Sequence, residues 1–235
     1  MTRHPLEELT YPPFAGFPPE GLAFLRRLKR NNKREWFLKH KLEYEELVRF
    51  PMECLIASLR PRMADVAGDF DFQPRKSIFR VYRDTRFSND KTPYKTNVAA
   101  SFEPRGPRNP TGSPGLYVGV GIDEIFVGGG LYLPSGEQLK AIRASIDGNP
   151  EEIRNIVGDK HFIKVLGEIS GDRLQKAPLG YPKDHPMIEF LRLKQFFVGV
   201  ECNEKECQKP RFLDVVTRVF TTSMPFIRWL QRATA

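Results

Sequence analysis

Residues 79–96 read FRVYRDTRFSNDKTPYKT, and five of the eighteen are basic: Arg80, Arg83, Arg86, Lys91 and Lys95. Only Asp84 and Asp90 oppose them. An arginine presents a planar fork that matches phosphate or carboxylate, and a lysine adds a compact point charge. The chemistry these types suggest is anion binding. Arg80, Arg83, Arg86, Lys91 and Lys95 are the candidate ligand contacts, with Tyr82 and Tyr94 able to donate phenolic hydrogen bonds. Pro93 fixes a turn, Asp90 starts it, and Asp84 is placed to hold an arginine. Asp84 is also an acid–base candidate. So is His185 in KDHP, which titrates near neutral pH and stands equally well as a cap for the helix that Pro186 begins. The bland alternative is a salt-bridged connector, with Asp84 and Asp90 paired internally and the other charges solvated.

These residues need a scaffold. The chain has 235 residues, 40% of them hydrophobic and 18 of them Phe, enough for a core without disulfide staples. Three cysteines cannot all pair, and Cys202 with Cys207 and His185 matches no common zinc spacing, so neither a metal nor a cofactor is expected. The N-terminus lacks an apolar leader and no run is long enough to span a bilayer, so the expectation is a cytoplasmic protein without a membrane partner. The net charge of +8 permits nucleic-acid or phosphate partners without demanding them. Residues 68–112 hold 9 basic and 5 acidic side chains, whereas 113–172 hold 5 and 9.

Helical spacing marks 18–30, a second helix from Asn32 to about Arg49, and a third over 51–66 that Pro61 should kink. Asn32 with Glu35 has the pattern of a capping box. Strand patterns follow at 77–82, 96–103, 115–122, 124–133 and 194–202. Helical patterns return at 135–147 after a Ser135 cap, at 150–166, at 187–192 and at 210–231, where Pro225 should bend the closing helix. The segment 103–115, EPRGPRNPTGSPG, reads as a hairpin loop. The fold expected is α+β, a mainly antiparallel sheet of about five strands within one domain spanning 1–235. Its helical part covers 1–67, meandering strands 76–133, and mixed helices with one strand 134–235.

Alternate strand residues point to opposite faces. One face gathers Val98, Ala100, Phe102, Leu116, Val118, Val120, Ile122, Ile125, Val127, Leu131 and Leu133, and should be core. The other carries Asn97, Ala99, Ser101, Tyr117, Gly119, Gly121, Phe126, Gly128, Gly130 and Tyr132, with Phe197, Gly199 and Glu201 as further candidates. Small residues and aromatics suit either a ligand groove or a tightly packed helix. Regular alternation would put Arg80 and Tyr82 on that face, opposite Phe79 and Val81, and leave Arg83 as an internal brace. The glycines form no nucleotide-binding fingerprint or P-loop, and no GxSxG elbow is present.

The block FRVYRDTRFSNDKTPYKTN closely resembles the domain-of-unknown-function family 2461, whose hallmark is Arg-x-Tyr-Arg-Asp-x-Arg-Phe followed by Asp-Lys-x-Pro-Tyr-Lys. FLRRLKRNNKREWF, GLYVGV with GGGLYLP, and GYPKDHP extend the resemblance over nearly the whole chain. Leu179 stands where that family often has a basic residue. The resemblance implies a single α+β domain and supplies no activity. Two functions fit the residues. One is a site for a phosphorylated or carboxylated small molecule, an enzyme acting on it being one form. The other is a nucleic-acid-binding or protein-interaction module without chemistry.

Overall fold

The computed structural model describes residues 11–86, 89–106 and 112–235. Helical segments come first among the described residues. Helix α1 (Pro19–Arg30) starts on proline, whose missing N–H costs nothing in the first turn, and ends on Arg27, Lys29 and Arg30, which suit the negative end of the helix dipole. Leu22, Phe24, Leu25 and Leu28 form its buried stripe. Short helices α2 (Arg34–Lys39) and α3 (Lys41–Tyr44) run through a π-helical turn at Glu45–Arg49 into α4 (Phe50–Arg62). The chain breaks after Arg62 at Met63 and resumes as α5 (Ala64–Ala67), so the expected third helix is interrupted just beyond Pro61. The expected capping box at Asn32 is not formed. Helix α2 starts at Arg34 with no side-chain cap, and Asn32 is used elsewhere.

After α6 (Pro74–Ser77) come strands β1 (Asn97–Phe102), β2 (Gly115–Gly121) and β3 (Ile125–Leu131). Helix α7 (Gly136–Gly148) begins at Ser135, which forms a complete capping box with Gln138. Then come α8 (Pro150–Val157), α9 (Lys160–Leu166), α10 (Ile188–Leu191), β4 (Phe196–Glu201), α11 (Glu204–Cys207) and α12 (Phe212–Ala233). Helix α12 is continuous through Pro225. The fold is α+β, with one antiparallel sheet in the order β1-β2-β3-β4 among the described residues. No helix among them is long and apolar enough to cross a membrane.

Among the described residues the sheet has four strands rather than five. Residues 77–82 join its backbone ladder only through the Ile78–Ala100 bridge and the Phe79 N–H donated to the Ala99 carbonyl, among the described residues. The chain leaves α6 only at Ser77, and by Val81 it is bonded to residues beyond the sheet, so a full ladder never develops.

The face predicted to be core is buried from Val98 to Phe102 on β1, along β2, and at Ile125, Val127 and Leu131 on β3. It ends sooner than expected: Ile122 is only partly buried and Leu133 is 72% exposed. Helix α12 lies against this face. Phe220 meets the edge of Phe102 at 5.6 Å, and Ile227 sits over Gly129. A Cβ at Gly129 would lie 2.7 Å from Ile227 Cδ1 and 2.8 Å from the Gly115 carbonyl oxygen. The backbone oxygen cannot swing away, so overpacking is the expected penalty. Gly129→Val should lose roughly 1–3 kcal/mol, read as a lower urea midpoint; unchanged stability would refute this close helix–sheet contact.

Candidate functional site

The basic stretch is a small ribbon closed on itself. The Arg83 N–H donates to the Pro93 carbonyl and the Lys95 N–H to the Val81 carbonyl, around a Tyr82–Tyr94 bridge. Its returning arm is anchored to the N-terminal helices. Asn32 donates from Nδ2 to the Tyr94 carbonyl at 2.9 Å and accepts the Tyr94 N–H at 3.0 Å. The Tyr94 ring stacks on Phe37 at 4.0 Å and is almost fully buried. Tyr94 therefore belongs to the core, and its expected place at a ligand is corrected. Exposed Tyr82 packs against it at 5.3 Å.

Most of the ribbon's charge is compensated within it. Asp84 grips Arg86 with both oxygens, at 3.0 and 2.8 Å, and accepts the Arg86 N–H. These bonds to Arg86 hold the Asp84 carboxyl down at about 2. Arg83 donates to Asp90 at 2.5 Å and to the Thr92 hydroxyl. Asp90 also accepts the Thr92 N–H, and this turn bond is the main reason its carboxyl lies below the usual carboxylate range. Lys91 donates to the Thr85 carbonyl. Arg80 and Lys95 make no ion pair among the described residues. Arg80 is exposed, while the half-buried Lys95 ammonium lies 5.3 Å over the Phe79 ring. Desolvation, reinforced by the Arg80 charge, pushes Lys95 below its usual 10.5.

Lys95 overlooks the second face of the sheet, which is open. A hollow of about 250 Å³ is lined there by Arg83, Lys95, Asn97, Tyr117, Glu124 and Phe126. It shares Tyr117, Glu124 and Phe126 with a groove of about 650 Å³ that continues past Phe79, Ser101, Glu103, Tyr132 and Phe197. The floor is a row of rings. Successive centroids from Phe79 through Tyr117, Phe126 and Phe197 to Tyr132 lie 6.4, 6.3, 6.2 and 5.5 Å apart. The glycines let these rings lie down. A Cβ at Gly199 would fall 2.4 Å from Phe126 Cζ, and one at Gly119 would fall 2.6 Å from the Tyr117 hydroxyl. The glycines are thus covered by the protein's own aromatics.

Strand parity identified Tyr117, Phe126, Tyr132 and Phe197 as neighbours. It misplaced the ribbon: Phe79, not Arg80, meets Tyr117, and Arg83 lines the hollow instead of bracing the opposite side. The missing cue is the departure of residues 80–83 from the sheet, which breaks the alternation. Glu103 and Glu124, both in the lining, were not anticipated as site residues. His185 contacts other groups. Its Nδ1 accepts the Met187 N–H at 3.0 Å, its Nε2 lies 3.0 Å from Asp147, and Tyr181 packs edge-on against it. Residues 107–111 of the expected basic loop lie outside the described residues. No group of three His, Cys, Asp or Glu among the described residues is arranged to hold a metal.

The chain matches, over residues 20–229, the model of a family described as a conserved hypothetical protein (DUF2461). Comparison with curated proteins finds no match.

The anchor at Asn32 has a measurable consequence. Asn32→Ala removes both bonds to the Tyr94 backbone and should cost roughly 1–3 kcal/mol, with faster hydrogen exchange at the Tyr94 and Lys95 amides. Unaltered exchange there would show that the ring stack alone holds the ribbon.

Proposed function

This chain belongs to the DUF2461 family of conserved hypothetical proteins, and we propose that its open sheet face binds a small molecule carrying a phosphate or carboxylate group. The observation that carries the reading is Lys95, a half-buried ammonium at the groove with a second unpaired cation, Arg80, close enough to depress it. Neither cation has a salt-bridge partner among the described residues, and an anion at Lys95 would favour its charged form. Arg83, already oriented by Asp90 and Thr92, offers further donors at the same hollow. Arg86 and Lys91 are spent within the ribbon on Asp84 and Thr85.

No acid–base step is assigned to Asp84 or His185 in this reading. Asp84 is held ionised by Arg86 and has no proton to give near neutral pH. His185 uses both ring nitrogens on Asp147 and Met187. The rival reading, a surface that coats nucleic acid, is weakened by Asp123, Glu124 and Glu103 along the same groove.

Lys95→Met keeps a flexible stem over Phe79 and deletes the charge. A charge-assisted hydrogen bond contributes about 1.5–3 kcal/mol, so binding of inorganic phosphate or citrate should weaken roughly 10- to 100-fold by calorimetry. Lys91→Met should change it little. Equal affinity in wild type and Lys95→Met sinks the proposal.

The pH dependence follows from the same lysine. Only the protonated amine attracts an anion, and the free-state pKa lies below 10.5. Affinity should therefore fall as pH rises through that lowered value, earlier than for an ordinary lysine, and binding should be accompanied by proton uptake in that range. An affinity that falls no earlier than an ordinary lysine would dictate would exclude Lys95 as the anion contact.

A further inference from the structure

Binding an anion needs cations, but it does not need five aromatic rings. Phe79 is 44% exposed and Tyr132 61% exposed, and both belong to an unbroken row across an open sheet. Exposed apolar surface of this kind, rimmed by polar groups, marks a binding surface. The ring orientation narrows what it binds. Phe126 lies over Gly128 and Gly199 and lines the groove. Tyr117 lies over Gly119 in the same way. Neighbouring rings are tilted, by 44° between Tyr117 and Phe126 and by 78° between Phe126 and Phe197, so a planar partner stacks on one ring and meets the edges of the next.

The rim narrows it further. Glu124 and Glu103 line the groove and make no ion pair among the described residues. Glu124 stands near enough to raise the Tyr117 phenol, after burial, which is the larger cause. Carboxylates beside a stacking platform accept hydrogen bonds from ring-edge N–H and amino groups. They also repel further negative charge, so one phosphate at Lys95 is favoured over a chain of them. The groove of about 650 Å³ lies within the range of small-molecule sites.

We infer that the groove takes a mononucleotide with an amino-bearing base, its ring stacked on Phe126 beside the tilted Tyr117, its edge amine toward Glu124 or Glu103, and its phosphate at Lys95. The identification of the base rests on the anion-binding reading above for the phosphate end, and on the aromatic row and carboxylates for the rest.

The test is calorimetric titration of the full chain with AMP, GMP, CMP, UMP, adenosine, ribose 5-phosphate, inorganic phosphate and a short single-stranded oligonucleotide. Stacking is expected to make AMP, GMP or CMP bind about tenfold or more tighter than ribose 5-phosphate, with UMP weaker. Phe126→Leu, which removes the ring, should erase the advantage of AMP, GMP or CMP over ribose 5-phosphate, a ratio in which any change common to the phosphate end cancels. Exposed Tyr132→Ala serves as a second variant should Phe126→Leu fail to fold by near-ultraviolet circular dichroism. Phosphate binding with no gain from any base would overturn the nucleotide inference and leave the anion site standing. Adenosine binding that Lys95→Met does not touch would keep the base platform and remove the anion site, overturning the mononucleotide. An oligonucleotide that outcompetes every mononucleotide with a steep salt dependence would also overturn it, in favour of a strand-binding surface. No binding of any probe would overturn both.

Discussion

One contact organises this molecule: a single long helix laid on one face of a four-stranded sheet. Helix α12 brings Phe220 to Phe102 on β1 and Ile227 to Gly129 on β3, so it covers the sheet from its first strand to its third. The fit is close because Gly129 has no Cβ to hold the helix away. A sheet satisfied on one side by a helix is free to leave its other side to solvent or to a partner. Here the second face opens into the groove, and its residues solve their own exposure. Phe126 and Tyr117 lie over glycines, covering backbone that would otherwise face water and gaining mutual contact along the row. The glycines thus serve two opposite purposes. Gly129 admits a helix from below, and Gly119, Gly128 and Gly199 admit rings from above.

The ribbon of residues 79–96 depends on the same asymmetry. It starts against β1, departs toward the N-terminal helices, and returns through Tyr94, which Asn32 and Phe37 hold in place. Its ion pairs are exposed, and pairs of that kind contribute little to stability. Their effect is geometric: Asp90 and Thr92 set the direction of Arg83, and Asp84 turns Arg86 back on its own backbone. Lys95 is of another kind. It is half-buried, stands over an aromatic face and has a like charge nearby. Attraction to the Phe79 ring offsets part of its desolvation, but such contacts contribute only about 0.5–2 kcal/mol and the lowered pKa shows the compensation is incomplete.

Much of this was legible in the sequence, and the failures share a cause. Helical spacing located α1, α7 and α12 because each carries a long, regular apolar stripe. Alternation located β1 to β4 and divided their residues between core and groove, since a strand inside a ladder must keep its period of two. The same rule misled at residues 77–82, where the ladder lasts for one bridge: Phe79 turns onto the aromatic face and Arg80 away from the lining. Asn32 shows the complementary limit. Locally it is a helix cap three residues before Glu35, yet its amide is taken by Tyr94, 62 residues away. A long-range partner that satisfies both ends of the side chain outcompetes a cap that would satisfy one. Pattern rules read what neighbours in sequence enforce, and both errors lie where a distant segment decides.

The overall charge is a poor guide to this site for a related reason. The formal +8 invites a polyanion, but residues 1–67 hold 12 basic against 9 acidic side chains and residues 173–235 hold 11 against 6, so most of the excess lies outside the ribbon and sheet. Charges in open water are screened within about 8 Å at physiological salt, so those distant residues add little potential in the groove. What a ligand meets is the local pattern: Arg83 and the desolvated Lys95 at one end, Glu124 and Glu103 along the length, and aromatic rings between. A uniform polyanion would gain at the first and lose at the second. Under the proposed reading, a molecule that is negative at one end, flat in the middle and rich in N–H donors at its edge would meet a favourable partner at each position, and the test of that reading turns on this local pattern, more than on the isoelectric point.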